Sequence, residues 1–176
     1  MKYQDCAGTL QANNDAACRR GDAVRLAEVN INPATGLASD YLNHFNEAIM
    51  LLEMLPICPD CLDDFLAWRP MSYREHFEAS RVKGRSLAIA AYDAADPSLR
   101  NSLDKLAGTM TAVLEATRAA MSSAASPQSA PVVADRAAAL LRPLVARAGA
   151  VINGEDIAVS GEPMTPQAMV DGLMKG

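Results

Sequence analysis

The chain has 176 residues, half of them hydrophobic and 21% charged, and carries a net charge of −5. That length gives one domain, or one domain with an appendage, and that composition excludes a disordered bulk. The acidic balance, offset by no basic run, argues against nucleic acid as a partner, because such binding draws on Lys and Arg at phosphates. Aromatic residues are only 5%, whereas alanine fills 33 positions. Abundant Ala, Leu and Met with few β-branched residues lean towards helix. The apolar run 48–52 is broken by Glu53 and is far too short for a membrane span. Met1–Asp5 lacks the charged-then-apolar layout of a signal peptide. A cytoplasmic protein is therefore expected, with no membrane partner and with reduced thiols at Cys6, Cys18, Cys58 and Cys61.

In chain order, the first helical segment is expected over about 3–20, with Gly21 as a stop. Asp22 then caps a short helix ending near Asn30, and Asn32-Pro33 breaks the chain. Thr35 or Ser39 can cap the next and best-patterned helix. Its Leu37, Tyr41, Phe45, Ala48, Leu52 and Leu55 recur at spacings of four and three, so at about 100° per residue they form one apolar stripe. Ala38, Leu42 and Ile49 widen that stripe, and Pro56 ends the helix. Pro59 suits the first position of a short helix through Leu62, Phe65 and Leu66, stopped by Pro70. Ser72-Tyr73-Arg74-Glu75 is a capping-box pattern that opens another helix, ended by Gly84, and 86–95 reads as one more.

Asp96-Pro97 couples a capping carboxylate to a proline at the first helical position. Leu99, Leu103, Leu106, Met110, Val113, Thr117 and Ala120 then keep helical spacing in the longest helix, to 121. Residues 122–131 read as a low-complexity linker, and an Ala-rich helix follows from Val132, kinked or broken at Pro143. Asn153-Gly154 marks a turn. Thr165-Pro166 caps a last short helix. The expected architecture is all-α: a compact helical bundle over 1–121, a linker over 122–131, and a C-terminal helix and arm over 132–176.

Three places carry chemistry. On the polar flank of the helix over 37–55, Asp40, Asn43 and Glu47 share a narrow arc, with His44 at the border of the apolar stripe. Asp40 and Glu47 lie four and three residues from His44, within side-chain reach, and a carboxylate there would raise the His44 pKa. These four are the catalytic candidates. His44, Glu47 and His76 are the metal candidates, although bundle metal sites favour Glu-x-x-His and the order here is His-x-x-Glu. Phe45 and Glu47 beside His44 oppose a phosphoryl group arriving there. No Gly-rich phosphate loop, nucleophile elbow or dinucleotide fingerprint is present, and no cofactor is expected. Cys58-Pro59-Asp60-Cys61 at a helix start is the redox candidate, because a helix N-terminus favours thiolate; Asp60 works against it, and the βαβ surroundings of a redox motif are missing.

The third place is the C-terminus. Gln167, Val170, Asp171, Leu173 and Met174 fall on the positions of a Ser-Gln-x-x-Ile/Val-Asp-x-Leu-Leu pattern, with Pro166 and Gly172 departing from it. This dozen residues resembles the response-regulator-binding peptide of flagellar switch proteins and of the chemotaxis phosphatase. The resemblance implies a regulatory protein in chemotaxis-type signal transduction, docking its partner through Gln167, Met169, Val170, Asp171, Leu173 and Met174. The phosphatase's acid-x-x-x-Gln pattern is missing, since no glutamine here has an acid four residues before it. The stretch 40–47 resembles small uncharacterised bacterial helical proteins, which bring no activity with them. The partners expected are therefore proteins: a response regulator, or further copies of this chain. The alternative is a metal- or thiol-dependent bundle using His44, Glu47 and His76 or the Cys58–Cys61 pair.

Overall fold

The computed structural model describes residues 23–123 and 130–155. The segment expected over 3–20, the middle of the 122–131 linker and the helix after Thr165 lie outside them. A short helix, α1 (23–27), is followed by α2 (Tyr41–Met54), α3 (Cys61–Ala67), α4 (Tyr73–Ala79), α5 (Arg85–Ala94), α6 (Pro97–Ser123) and α7 (Ala130–Asn153). The fold is all-α, as the composition requires. The described residues contain no strand beyond an isolated antiparallel bridge between Ile31 and Ala38. None of their helices is long and apolar enough to cross a membrane.

The apolar stripe predicted for α2 is the core. Leu37, Tyr41, Phe45, Ala48, Leu52 and Leu55 are all buried, and so are Ala38, Leu42 and Ile49. Leu103, Met110, Val113 and Thr117 of α6 are buried in the same way, and Thr117 returns its hydroxyl to the Val113 carbonyl at 2.7 Å. α2 and α6 share one core because α7 lies against both. The Ala-rich helix is thus a central element, contributing Ala134, Ala137, Ala138, Leu141, Leu144, Ala148, Val151 and Ile152. Its small side chains let three helices approach closely, which explains how so few aromatic residues suffice. It is also longer than expected. α6 runs to Ser123 and α7 starts at Ala130, so both ends of the expected linker are helical.

Several start and stop signals are realised and others are corrected. The capping box is present: Ser72 N–H donates to Glu75 Oε2 at 2.8 Å, and Glu75 N–H donates to Ser72 Oγ at 3.3 Å. Asp96 accepts from Ser98 N–H at 2.7 Å at the start of α6. Neither Thr35 nor Ser39 caps α2; its N-cap position is Asp40, without a side-chain bond. α3 begins at Cys61 instead of Pro59, the two intervening residues forming a turn. Pro143 does not break α7. Pro143 and Ala139, whose carbonyl would have received its missing N–H, are both exposed, so the helix continues with that carbonyl on the solvent side.

Asn153-Gly154 does make its turn, as the end of α7. Gly154 has φ +70°, Gly154 N–H donates to Val151 O at 3.1 Å, and Glu155 N–H donates to Ala150 O at 2.9 Å. These are the two bonds of a Schellman cap. The last turn is also tied to the loop before α2, where buried Thr35 donates its hydroxyl to Ile152 O at 2.7 Å. Gly36, at φ +72°, lets that loop press on α5: a Cβ there would stand 2.9 Å from Ala91 O. Substituting Phe45 or Leu103 by alanine is expected to cost about 2–5 kcal/mol by cavity formation, read by urea denaturation. Thr35→Val should cost about 1–3 kcal/mol, by leaving the Ile152 carbonyl unpaired. Values below about 1 kcal/mol at both Phe45 and Leu103 would show that the stripes are not the core.

Candidate functional site

The helical phase that buries Phe45 and Tyr41 also turns His44 inward. It is only 3% exposed, so it belongs to the core and not to a solvated flank. Trp68, which ends α3, stacks on its ring at 4.6 Å between centroids and 23° between planes. Trp68 Nε1–H donates to the His44 carbonyl at 3.2 Å, and Met71 N–H donates to His44 Nε2 at 3.2 Å. The imidazole is thus held as a neutral acceptor. Burial, helped by nearby His76, lowers its pKa to about 4. The predicted partnership with Asp40, which would have raised that pKa, does not form. The Asp40 carboxylate instead accepts from Asn30 Nδ2 at 3.2 Å, and Asn30 takes φ +59°.

His76 on α4 does come to His44, with ring centroids 6.0 Å apart. Burial lowers its pKa as well, against the opposing pull of the Asp40 carboxylate and of a hydrogen bond to the Asp40 backbone. Glu47 and Asn43 are exposed. The candidates therefore separate: His44 buried in the interior with a half-buried His76 beside it, an amide and an acid in solvent. Among the described residues no group of three or more His, Cys, Asp or Glu is placed to hold a metal. The His44 Nε2 lone pair, which a metal would need, is already used by Met71 N–H. The thiols meet. Cys58 is half-buried and Cys61 buried, both are free, and their mutual hydrogen bond is the largest influence raising the Cys61 pKa, followed by burial and the charges around it. At Cys61, the first residue of α3, the expected thiolate stabilisation is thus reversed.

Sequence reasoning missed the feature that organises this region. Tyr41, His44, Phe45, Trp68, Tyr73, His76, Phe77 and Tyr92 form one connected set of ring contacts. Six of the chain's eight aromatic side chains and both histidines are in it. The signal was available: in an aromatic-poor chain, nearly all the rings fall between 41 and 92. Beside the set opens a cleft of about 450 Å³ bordered by Tyr41, Met71, Tyr92 and Asp104. Tyr41 donates its hydroxyl to Met71 O at 3.0 Å, so the Met71 backbone is strapped on both sides, its N–H on His44 and its carbonyl under Tyr41. Tyr73 stacks on Tyr92 at 4.3 Å and accepts from Ala38 N–H at 2.9 Å. Tyr92 donates to both Asp104 oxygens, at 2.7 and 2.8 Å. Burial, then the Asp104 hydrogen bond, push its pKa up to about 12, and burial raises Tyr41 and Tyr73 too. All three phenols therefore keep their protons at neutral pH.

The proposed docking residues Gln167, Met169, Val170, Asp171, Leu173 and Met174 lie outside the described residues. No protein-family model, no curated protein and no solved structure matches this chain.

The lowered His44 pKa fixes a pH dependence. Between about 4 and the unperturbed value near 6.5 the unfolded chain binds a proton at this position that the folded chain does not. Stability is therefore full above that window and is lost as pH falls through it, by about 1–3 kcal/mol from His44. Urea melts at pH 7.5 and 4.5 should show this loss, and His44→Gln should show less of it. An equal pH dependence in both proteins would contradict the buried neutral imidazole. Asn43→Ala and Glu47→Ala should each move stability by less than about 0.5 kcal/mol.

Proposed function

We propose that this is a small helical interaction protein of the cytoplasm that regulates by docking, not by catalysis at the flank of α2. Residues 165–174 engage the partner, a chemotaxis-type response regulator. Met169, Val170 and Leu173 would supply the apolar side of a helix lying in the partner's groove, with Gln167 and Asp171 setting its polar contacts. The observation that supports the reading is the end of α7. That end is closed by the cap at Gly154, so α7, the last helix of the described residues, stops before this amphipathic pattern begins. The intervening stretch, with Gly161 and Pro163, acts as a tether that raises the local concentration of the docking segment. The metal and thiol alternative is weakened by the engaged Nε2 of His44 and the raised pKa of Cys61.

The test is a titration of the full chain, and of a chain ended at Gly161, into a purified chemotaxis-type response regulator in phosphorylated and unphosphorylated form. Saturable binding by the full chain should disappear on truncation while the melting temperature stays nearly constant. Leu173→Ala should remove most of the binding, and Asp171→Ala should make it less salt-sensitive. Equal binding by both chains, or a large fall in melting temperature on truncation, would remove the C-terminal segment as the docking element.

A further inference from the structure

At Trp68, two arginines meet on one carbonyl. Arg69 Nη1 donates to Trp68 O at 2.9 Å and to Leu66 O at 2.7 Å. Arg118, from the C-terminal part of α6, donates its own Nη1 to the same Trp68 O at 3.1 Å. Both terminal nitrogens thus lie on one oxygen atom, and their separation is bounded by the sum of those two distances. The acceptor explains why two cations tolerate each other: Leu66 O and Trp68 O close α3, and carbonyls at a helix end carry partial negative charge. That partial charge does not neutralise two full positive ones. The ion pairs formed among the described residues are Arg74–Asp93 and Arg142–Glu53, so neither Arg69 nor Arg118 has a carboxylate partner there. Glu115 borders the same pocket and forms no ion pair with either.

Each guanidinium presents five N–H donors in a planar fork, and the carbonyl bonds occupy only the Nη1 groups. Both arginines line an open pocket of about 350 Å³ together with Leu66, Glu115 and Ser122, and their Nε and Nη2 groups are not used by those carbonyl bonds. The two forks are pre-positioned, because Trp68 cannot shift without breaking its stack on His44 and its bond to the His44 carbonyl. We infer that this pocket binds an oxyanion, a phosphoryl or carboxylate group with at least two acceptor oxygens, between Arg69 and Arg118. Such groups match a guanidinium fork two oxygens at a time, with charge-assisted bonds. Because the chain is acidic overall, the attraction is local to this pair and not a property of the whole surface.

The chain's single tryptophan reports on the site. Trp68 fluorescence should be followed while inorganic phosphate, or acetate, is added at constant ionic strength, with chloride as the control. Saturation at millimolar concentration is expected with phosphate, along with a shift of the Arg69 and Arg118 Nε–H signals in nitrogen-15 spectra. Saturation with acetate as well would assign the pocket to carboxylates and phosphates alike; saturation with phosphate alone would assign it to phosphoryl groups. Arg118→Gln should raise the midpoint about tenfold or more, and Arg118→Lys, which keeps the charge and loses the fork, should fall between the two. The side-chain signals of the wild-type chain decide the matter even where a variant folds poorly. A chloride response equal to that of phosphate, no saturation with either anion, or an unchanged midpoint in a folded Arg118→Gln would overturn the inference.

Discussion

A single hydrogen bond, from Met71 N–H to His44 Nε2, determines how the central part of the chain is laid on the bundle. It exists only while the imidazole is neutral, because a protonated ring has no lone pair to offer. Burial supplies that neutrality, and burial in turn needs Trp68 stacked across the ring. The connection from α3 to α4 is thereby fixed against α2 at three points: the indole on the imidazole, the indole N–H on the His44 carbonyl, and the Met71 backbone between His44 and Tyr41. Helices as short as α3 and α4, seven residues each, have little stability of their own. They hold their places because this connection is anchored and because Tyr73 and Phe77 are buried in the core.

The long helices were legible in the sequence because one physical rule covers them. α2 and α6 each bury a single stripe, and spacings of three and four reveal a stripe without any knowledge of the partner. Capping chemistry was equally local: Ser72 with Glu75 and Asp96 with Ser98 lie within a few residues of each other and behave as written. Pro143 was misleading because its cost depends on whether the orphaned carbonyl faces core or solvent, which is a tertiary fact. The centrality of α7 was hidden for a related reason. An Ala-rich helix has a weak apolar signature, yet its small side chains are what admit two neighbouring helices at once.

The candidate site was half legible. Asp40 at the N-cap and Asn43, His44 and Glu47 on α2 are close along the helix, but His44 stands at the boundary of the stripe, where a small rotation of the helix decides between core and water. Trp68 settles it, 24 residues away in sequence. Asp40 was assigned to the wrong partner for the same reason. Its carboxylate could reach His44 along the helix, but Asn30, in a left-handed conformation before the helix begins, takes it first. Spacing along a helix tells which groups can meet; competition from other segments decides which do.

Trp68 connects the two faces of this region. Its ring belongs to the aromatic set with His44, and its carbonyl belongs to Arg69 and Arg118. One residue thus carries an uncharged, desolvated contact on one side and a doubly charged, solvent-facing one on the other. The arrangement separates the two kinds of electrostatics. Charge placed next to His44 would be costly, since nothing there compensates it and burial already disfavours the cation. Charge placed beside the arginines is cheap, since solvent and a helix end both compensate it. Replacing the indole would therefore do more than open a cavity: it would remove the stack on the imidazole and the N–H bond to the His44 carbonyl, the two contacts that fix the backbone whose carbonyl the guanidinium groups share.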